Sequence, residues 1–388
     1  MMVKAIISLF LIIISVPYSW SIDLSSVNFN YKYEVDAAVR IKYRLQEVDG
    51  LYKLIFGVTT ISSDTNSIIV RTIFQRGYID ESVALDASDT LAVKEVLTEN
   101  SFLYEHQFPN DSTKDLLVLV VDHLANGKSY YFDIPVSDQL SLPPVDFNIL
   151  KDSSHYFKNY FPIGEELDFD RPAVHVYQYN EGYPAALSPM SDKSVGNNLT
   201  MDSVYSVDKL QPEVYKLYFI QTDTTSLSGL SLLGVPARYP KFTTITDLVQ
   251  PLLYISKPSE IEEISQADNP KLSMDRFWLD VTGSKERALA AIRRFFRRVT
   301  ESNELFTNYK QGWKTDRGMV YIIFGKPHNV SRTAFQETWT YRLSAEELKF
   351  TFNRIKNIFS PNHYDLERSE DYQDVWFRQV DLWRKGRI

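Results

Sequence analysis

Apolar and polar residues alternate along much of the first 240 positions, which is typical of half-buried β-strands. Alternation predicts strands over 27–35 and 39–45. Asp49-Gly50 and Asn126-Gly127 predict hairpin turns, because these dipeptides adopt the positive φ angles of tight turns. Further strands are predicted over 51–59, 67–74, 115–122 and 130–136. Many short strands with turns between them predict an antiparallel sandwich over residues 22–145, which closes at the prolines of 141–144.

A second β-rich segment follows. Strands are predicted over 174–179 and 214–222. The stretch 232–242 is predicted as a sheet edge at best, because Pro236 and Pro240 cannot donate to a ladder. Residues 146–257 are therefore predicted as a second sandwich-like domain.

The periodicity changes in the C-terminal third. Apolar residues at helical spacing predict a helix over 284–305 with Ser284 as its N-cap, a short helix over 259–264 and a final helix from Asp371. The segments 337–342 and 349–352 predict a hairpin in which Trp339 meets Phe350. The predicted fold is thus mainly β with an α+β C-terminal domain: two β-sandwich (Ig-like) domains, then a mixed helix and antiparallel-sheet domain over 258–388.

The most distinctive string is Gly312-Trp313-Lys314-Thr315-Asp316-Arg317-Gly318. It reads as a glycine-bracketed turn. The apolar run 319–324 after it is predicted as a buried strand that stops at Gly325-Lys326-Pro327.

This string resembles the signature of the GWxTD-domain family, exported envelope proteins mainly of Bacteroidota. The likeness spans about residues 258–388, and further matches lie at 275–278, at Glu337 with Trp339 and Tyr341, and at Trp376 with 383–386. The resemblance implies a cell-envelope protein with β-sandwich modules before a mixed α/β domain. It brings no catalytic residues, and His328 stands where an acidic residue is expected in relatives.

Residues 1–21 are predicted as a secretory signal peptide, with Lys4 before an apolar run of about a dozen residues and small residues before the cut. An uncleaved anchor is the alternative. The chain has no cysteine, which excludes thiol catalysis, disulfides and a lipoprotein anchor. A net charge of −8 argues against nucleic acid as a partner. We therefore expect a periplasmic or extracellular protein without a transmembrane segment after cleavage.

Trp313, Asp316 and Arg317 are the first candidate binding residues, because a carboxylate beside a guanidinium can hold a partner in a bidentate contact. The structural alternative is that Trp313 fills the core, Asp316 accepts backbone N–H groups and Arg317 pairs with a neighbouring acid. The cluster of Arg293, Arg294, Arg297 and Arg298 could bind phosphate, lipopolysaccharide or an acidic surface. Its alternative is a solvated helix face.

Other chemistry has little support in the sequence. The acidic run Glu165, Glu166, Asp168 and Asp170 lacks the glycine-punctuated loop of calcium motifs. The six histidines are scattered. We predict no cofactor, no metal and no catalytic residues. The favoured hypothesis is a non-enzymatic envelope binding or assembly protein, with envelope proteins such as outer-membrane or secretion components as partners. The alternatives are an envelope polysaccharide or peptide hydrolase using Asp316, and a carbohydrate-binding module using exposed Tyr and Trp.

Overall fold

The computed structural model describes residues 22–388 except 62–66, 80–88, 111–114, 137–143, 172–173, 194–195, 197 and 344–345. The predicted signal peptide and most of the predicted closing segment 141–144 lie outside these ranges. The described chain is mainly β, and its helices are concentrated in the C-terminal third. This confirms the predicted fold class.

Two four-stranded antiparallel sheets form the first β-unit, in the orders β1-β2-β6-β5 and β4-β3-β7-β8. Asp49 and Gly50 connect β1 to β2 with φ angles of 53° and 76°, as their turn chemistry predicts. Phe56 and Tyr104 of one sheet pack with Leu119 of the other in a shared core. The strands are β1 Val39–Val48, β2 Leu51–Thr60, β3 Ile68–Gln75, β4 Asp89–Leu91, β5 Glu95–Thr98, β6 Ser101–Pro109, β7 Leu116–His123 and β8 Lys128–Pro135.

The second β-unit has one sheet in the order β10-β9-β12-β15 and one in the order β11-β17-β16-β13-β14. The prediction of a sheet edge over 232–242 is wrong. Strand β17 lies between β11 and β16 and all its residues are buried, while Pro236 and Pro240 follow the strand and so cost it no hydrogen bond. The strands are β9 Ile149–Lys151, β10 Ser154–His155, β11 Tyr160–Pro162, β12 Leu167–Phe169, β13 Val174–Asn180, β14 Thr200–Val207, β15 Lys209–Leu210, β16 Lys216–Gln221 and β17 Leu230–Val235.

The C-terminal third packs helices against a sheet in the order β18-β19-β20-β21. Ser284 caps α4 by accepting a hydrogen bond from the Arg287 N–H at 3.2 Å, as predicted. Trp339 lies opposite Phe350 in the predicted hairpin. The elements are α1 Ile245–Val249, α2 Pro258–Gln266, α3 Pro270–Thr282, α4 Lys285–Phe306, α5 Asp316–Phe324, β18 Asn329–Arg332, β19 Gln336–Arg342, β20 Glu347–Arg354, β21 Tyr364–Leu366 and α6 Gln373–Arg384.

Two predicted strands are wrong. Residues 319–324 belong to helix α5, and they are apolar on every side because the helix is surrounded by core. A short apolar run that is buried all round has no periodicity to distinguish a helix from a strand. Residues 27–35 form no strand but include a 3-10 turn at Asn30–Tyr33. Their alternation arises because Tyr31 packs on β8, whereas Phe29 and Tyr33 enter the C-terminal core.

Strand β7 is buried on both faces. Leu117, Leu119 and Val121 face the core of the first β-unit. The intervening Leu116, Val118 and Val120 belong to a larger apolar core that continues through the C-terminal third, including Trp339. An antiparallel sheet commonly leaves one face to water, so this second buried face shows that the first β-unit packs against the C-terminal domain.

A buried ionic cluster lies at this junction. The Arg332 guanidinium of β18 is 2.8 Å from the Asp133 carboxylate of β8 and 3.3 Å from the Glu337 carboxylate of β19. Lys32 also contacts Asp133, and the Tyr33 hydroxyl donates to Glu337 at 2.5 Å. Burial is the main cause that lowers the pKa of Lys32, to about 8. We call these five residues the junction cluster; they link the N-terminal segment, the first β-unit and the C-terminal sheet.

Replacing Asp133 with Asn is expected to reduce the free energy of unfolding at pH 7 by about 3–5 kcal/mol, because Lys32 would stay buried without its acid and Arg332 would keep only Glu337. Burial alone would raise the pKa of Asp133, but Arg332 and Lys32 outweigh it and the pKa is lowered. Its stabilising effect is therefore complete above the usual aspartate pKa, begins to be lost as the pH falls through that range, and is lost in full only below the lowered pKa of the folded state. In denaturant unfolding, the difference in free energy of unfolding between wild type and variant should be about 1 kcal/mol smaller at pH 3 than at pH 7.

The control for this prediction is Asp122→Asn. Asp122 pairs with Arg71 at 2.6 Å on a neighbouring, more exposed part of the same sheet. Loss of that pair should cost under about 1 kcal/mol. Equal costs for Asp133→Asn and Asp122→Asn would contradict the importance of the junction cluster.

Candidate functional site

The signature segment 312–318 lies between the end of α4 and the first turn of α5. A Cβ atom on Gly312 would lie 2.0 Å from the carbonyl oxygen of Ser302 in α4. A Cβ atom on Gly318 would lie 2.0 Å from the carbonyl oxygen of Gly312. Both distances are far inside van der Waals contact, so the two glycines allow α4, the turn and α5 to pack backbone to backbone.

Trp313 is 1% exposed and is held at three points. Its indole Nε1 donates to Gln311 Oε1 at 2.6 Å, and its backbone N–H donates to Asn303 Oδ1 at 3.1 Å. The Tyr254 hydroxyl donates to the Trp313 carbonyl at 2.9 Å. The ring and its backbone are thereby fixed against α4 and the segment before α2.

Thr315 begins helix α5. Its hydroxyl oxygen accepts a hydrogen bond from the Gly318 N–H at 3.0 Å and donates one to the Gly312 carbonyl at 2.7 Å. The first bond satisfies an N–H group that a helix start leaves without a partner. The signature threonine therefore joins the 3-10 turn Gly312–Lys314 to helix α5.

Asp316 and Arg317 are both buried, and both reach the segment 362–368. Asp316 Oδ2 accepts from the Leu366 backbone N–H at 2.7 Å, and Oδ1 accepts from Arg368 Nη2 at 2.8 Å. Arg317 Nη2 donates to the Asn362 carbonyl at 3.0 Å, and its guanidinium lies 4.4 Å from the centre of the Tyr364 ring. Both carboxylate oxygens of Asp316 are engaged inside the domain.

The glutamate that follows in the family pattern connects the signature to the junction cluster. Arg317 Nη1 is 3.9 Å from the Glu337 carboxylate. The Trp339 indole N–H also donates to Glu337. Arg317 therefore touches the acid that Arg332 and Tyr33 share.

The four arginines that the sequence grouped on α4, Arg293, Arg294, Arg297 and Arg298, separate into two groups. Arg298 Nη1 donates to the carbonyls of Ile322 and Ile323 at 3.0 and 2.8 Å, and its guanidinium lies 5.1 Å from the Trp383 ring. Burial lowers the pKa of Arg298 to about 10. Arg298 thus caps the C-terminal end of α5. The exposed arginines are Arg293, Arg294 and Arg297.

The acidic run has local partners. Glu166 and Asp168 both pair with Lys209, at 2.6 and 3.0 Å, and Glu165 pairs with Lys151 at 2.5 Å. Asp170 accepts from the backbone N–H of Asn148. Across the described residues, no group of three or more His, Asp or Glu side chains is arranged to hold a metal ion.

Strand β14 presents an open sheet edge. Of the described strands it pairs with β13 alone. Met201 and Val204 are 55% and 50% exposed, and lie opposite Tyr179 and Tyr177 on one face of the sheet. The Tyr179 ring packs 5.5 Å from Phe359 of the C-terminal domain. The exposed pair therefore continues an apolar surface that begins where the domain meets the sheet.

Sequence reasoning missed Lys32, Asp133 and Arg332. The sequence did contain a signal for Asp133, which follows Tyr130, Tyr131 and Phe132 in a strand that is otherwise mostly apolar. A charge inside such a strand indicates a buried ion pair. The sequence does not show which charges are partners.

Residues 216–385 match the family model of the GWxTD domain, beginning at the first residue of β16. This part of the chain is a GWxTD domain, which confirms the resemblance drawn from the signature.

No curated protein matches the chain. Among solved structures, a similarity was found to the chain described as "Crystal structure of Dpr11 IG1 bound to DIP-gamma IG+IG2", at 11% identity over 50% of this chain and 99% of that chain. Its TM-score of 0.15 is too low to support any conclusion. No helix in the described ranges is both long and apolar enough to cross a membrane.

Replacing Asp316 with Asn is expected to reduce the free energy of unfolding by about 3 kcal/mol, because Arg368 would lose its buried acid. Glu301→Gln is the control, since Glu301 pairs with exposed Arg297 at 3.7 Å and a glutamine oxygen can still accept from the Tyr321 hydroxyl, so the change should cost under about 1 kcal/mol. Denaturant unfolding measures both. A stable Asp316→Asn protein that loses a defined turnover would instead indicate the hydrolase alternative.

Gly318→Ala is expected to destabilise the fold by about 3 kcal/mol or more, because the added methyl group would overlap the Gly312 carbonyl. Gly77→Ala is the control, as a Cβ there meets none of the described atoms within 4 Å. Its unfolding free energy should stay within about 0.5 kcal/mol of wild type. Thermal melts that shift equally for both variants would contradict the close packing of the signature.

Proposed function

We propose that this protein is an exported, non-catalytic binding or assembly component of the cell envelope, which docks other envelope proteins through its β-units and its GWxTD domain. It acts in the periplasm or outside the cell, with outer-membrane or secretion components among its partners. The observation that carries the proposal is the open edge of β14, where exposed Met201 and Val204 lie beside backbone groups that no second strand of the described chain pairs with.

An edge of this kind takes up an extended peptide. Backbone N–H and C=O groups of an edge strand can pair with an added strand, and apolar side chains beside them select its sequence. The expected partner segment carries apolar residues at every second position, facing Met201 and Val204. Asp202, the charged residue between them in β14, is paired with Lys216 of β16 at 2.9 Å.

The signature supports a structural rather than a chemical role for the domain. Trp313 and Asp316 have all their described contacts inside the fold. A general acid or base needs an accessible proton, and the carboxylate of Asp316 is enclosed. The carbohydrate-binding alternative needs exposed aromatic platforms, but no Tyr or Trp among the described residues is exposed.

The test places a photo-crosslinking amino acid at position 204 and, as a control, at position 227 in cells of the source. Leu227 is 70% exposed and lies outside β14. We expect a defined adduct from position 204 that is absent from position 227. In the purified complex, hydrogen exchange of the β14 amides should slow by at least about tenfold.

Two substitutions give the matched comparison. The double variant Met201→Lys, Val204→Lys should weaken binding of the captured partner by at least about tenfold, because lysine on an edge opposes strand addition. Leu227→Lys should leave binding unchanged. Protection confined to another surface would contradict docking at β14. A protein that stays monodisperse and forms no adduct in its envelope would contradict the proposed function altogether.

A further inference from the structure

A cavity of about 320 Å³ lies between α4 and the segment that leads into α1. Arg293, Phe296 and Arg297 line it from α4, and Lys241, Phe242 and Leu248 line it from the opposite side. Residues 293, 296 and 297 share one helix face because they are three and four positions apart. The cavity is separate from the signature and from β14.

The cations lie at the mouth of the cavity. Lys241, Arg293 and Arg297 are all exposed. In the described part of the chain, Arg297 has Glu301 at 3.7 Å, whereas Lys241 and Arg293 form no ion pair. Like charges four positions apart on a helix repel one another, so Arg293, beside Arg297 and without an acid among the described residues, does not add to the stability of α4. This concentration of positive charge stands out on a chain of net charge −8.

The floor of the cavity is apolar. Phe242 is 7% exposed, and Leu248 and Phe296 are half-buried. A small ion alone would contact only the mouth. An anion joined to an apolar chain would bring its charge to the guanidinium groups and its chain to these side chains.

We propose that this cavity binds an acyl-chain lipid with a phosphate monoester head group. Three positive charges, one partly offset by Glu301, suit an anion of about two negative charges, and a phosphate monoester carries roughly −1.5 to −2 at pH 7. Guanidinium groups match phosphate oxygens in bidentate geometry. The inference goes beyond the proposed function, because it requires neither β14 nor a protein partner.

The test is calorimetric titration of the full chain with dihexanoyl phosphatidic acid below its micelle concentration. Inorganic phosphate and dihexanoyl phosphatidylcholine are titrated in parallel. We expect the phosphatidic acid to bind at least about tenfold more tightly than inorganic phosphate, and phosphatidylcholine not to bind. Equal affinity for inorganic phosphate would overturn the lipid assignment and indicate a soluble phosphate compound. Lack of binding by all three would overturn the site.

Substitutions distinguish binding in this cavity from nonspecific attraction of an anion to the basic surface of α4. Arg293→Gln and Lys241→Gln should each weaken phosphatidic acid binding by at least about tenfold. Arg294→Gln is the matched control, because Arg294 is exposed on the same helix but does not line the cavity. Equal losses for Arg293→Gln and Arg294→Gln would overturn the proposal.

Leu248→Phe tests the floor. The larger side chain should occupy the space of the acyl chain and weaken phosphatidic acid binding, while affinity for inorganic phosphate stays the same. Unchanged phosphatidic acid binding, in a variant whose melting temperature matches wild type, would overturn the apolar half of the assignment. Failure of the β14 variants to affect partner binding would leave these outcomes untouched.

Discussion

Arg332 is the buried charge on which the arrangement of the molecule depends. A guanidinium at the centre of an apolar junction is costly unless acids reach it, and its two acids come from different parts of the chain. Asp133 lies on β8 of the first β-unit, and Glu337 lies on β19 of the C-terminal sheet. Two apolar surfaces in contact can shift relative to one another at little cost. A buried charge that pairs with acids from two units loses those pairs when the units shift. The junction cluster therefore fixes how the first β-unit sits on the GWxTD domain.

Inside the GWxTD domain, buried polar contacts around the signature also fix how neighbouring elements pack. Each of its defining residues contributes a different physical effect: close approach for Gly312, core volume for Trp313, a helix cap for Thr315 and a charge for Asp316. Asp316 ties α5 to Leu366 at the end of β21 and to Arg368 just beyond that strand. Arg317 then connects α5 to Glu337. The buried polar contacts therefore continue from the signature to the junction cluster through Arg317 and Glu337.

The sequence predicted those elements whose local signals agree with their surroundings. The hairpin at Asp49-Gly50 and the capped helix α4 are such cases, because a turn dipeptide and a one-sided apolar stripe each have one common structural outcome. The strand prediction for residues 319–324 was wrong because a helix enclosed by core on all sides has no one-sided apolar stripe. The strand prediction for residues 27–35 was wrong because their alternating apolar residues pack on two separate surfaces, β8 and the C-terminal core, and do not form a pleated strand.

The candidate sites show the same division. The sequence identified the arginines of α4 as a group, but Arg298 faces carbonyls of α5 while Arg293 faces solvent. Which role each takes depends on the helix packed beside it, and that neighbour is distant in sequence. The junction cluster was not predictable as a unit for the same reason, since Lys32 and Arg332 are brought together only by the tertiary fold.

The double burial of β7 has a consequence for biosynthesis. Its inner face is covered once the first β-unit forms, but its outer face belongs to a core that is completed only by residues as far on as Trp339, about 220 positions later. At the usual rate of roughly 5–20 residues per second, translation needs about 10–40 s to supply them. During that interval the first β-unit presents a bare apolar sheet face. A chain that folds as it is synthesised therefore keeps this face exposed until the GWxTD domain has been made.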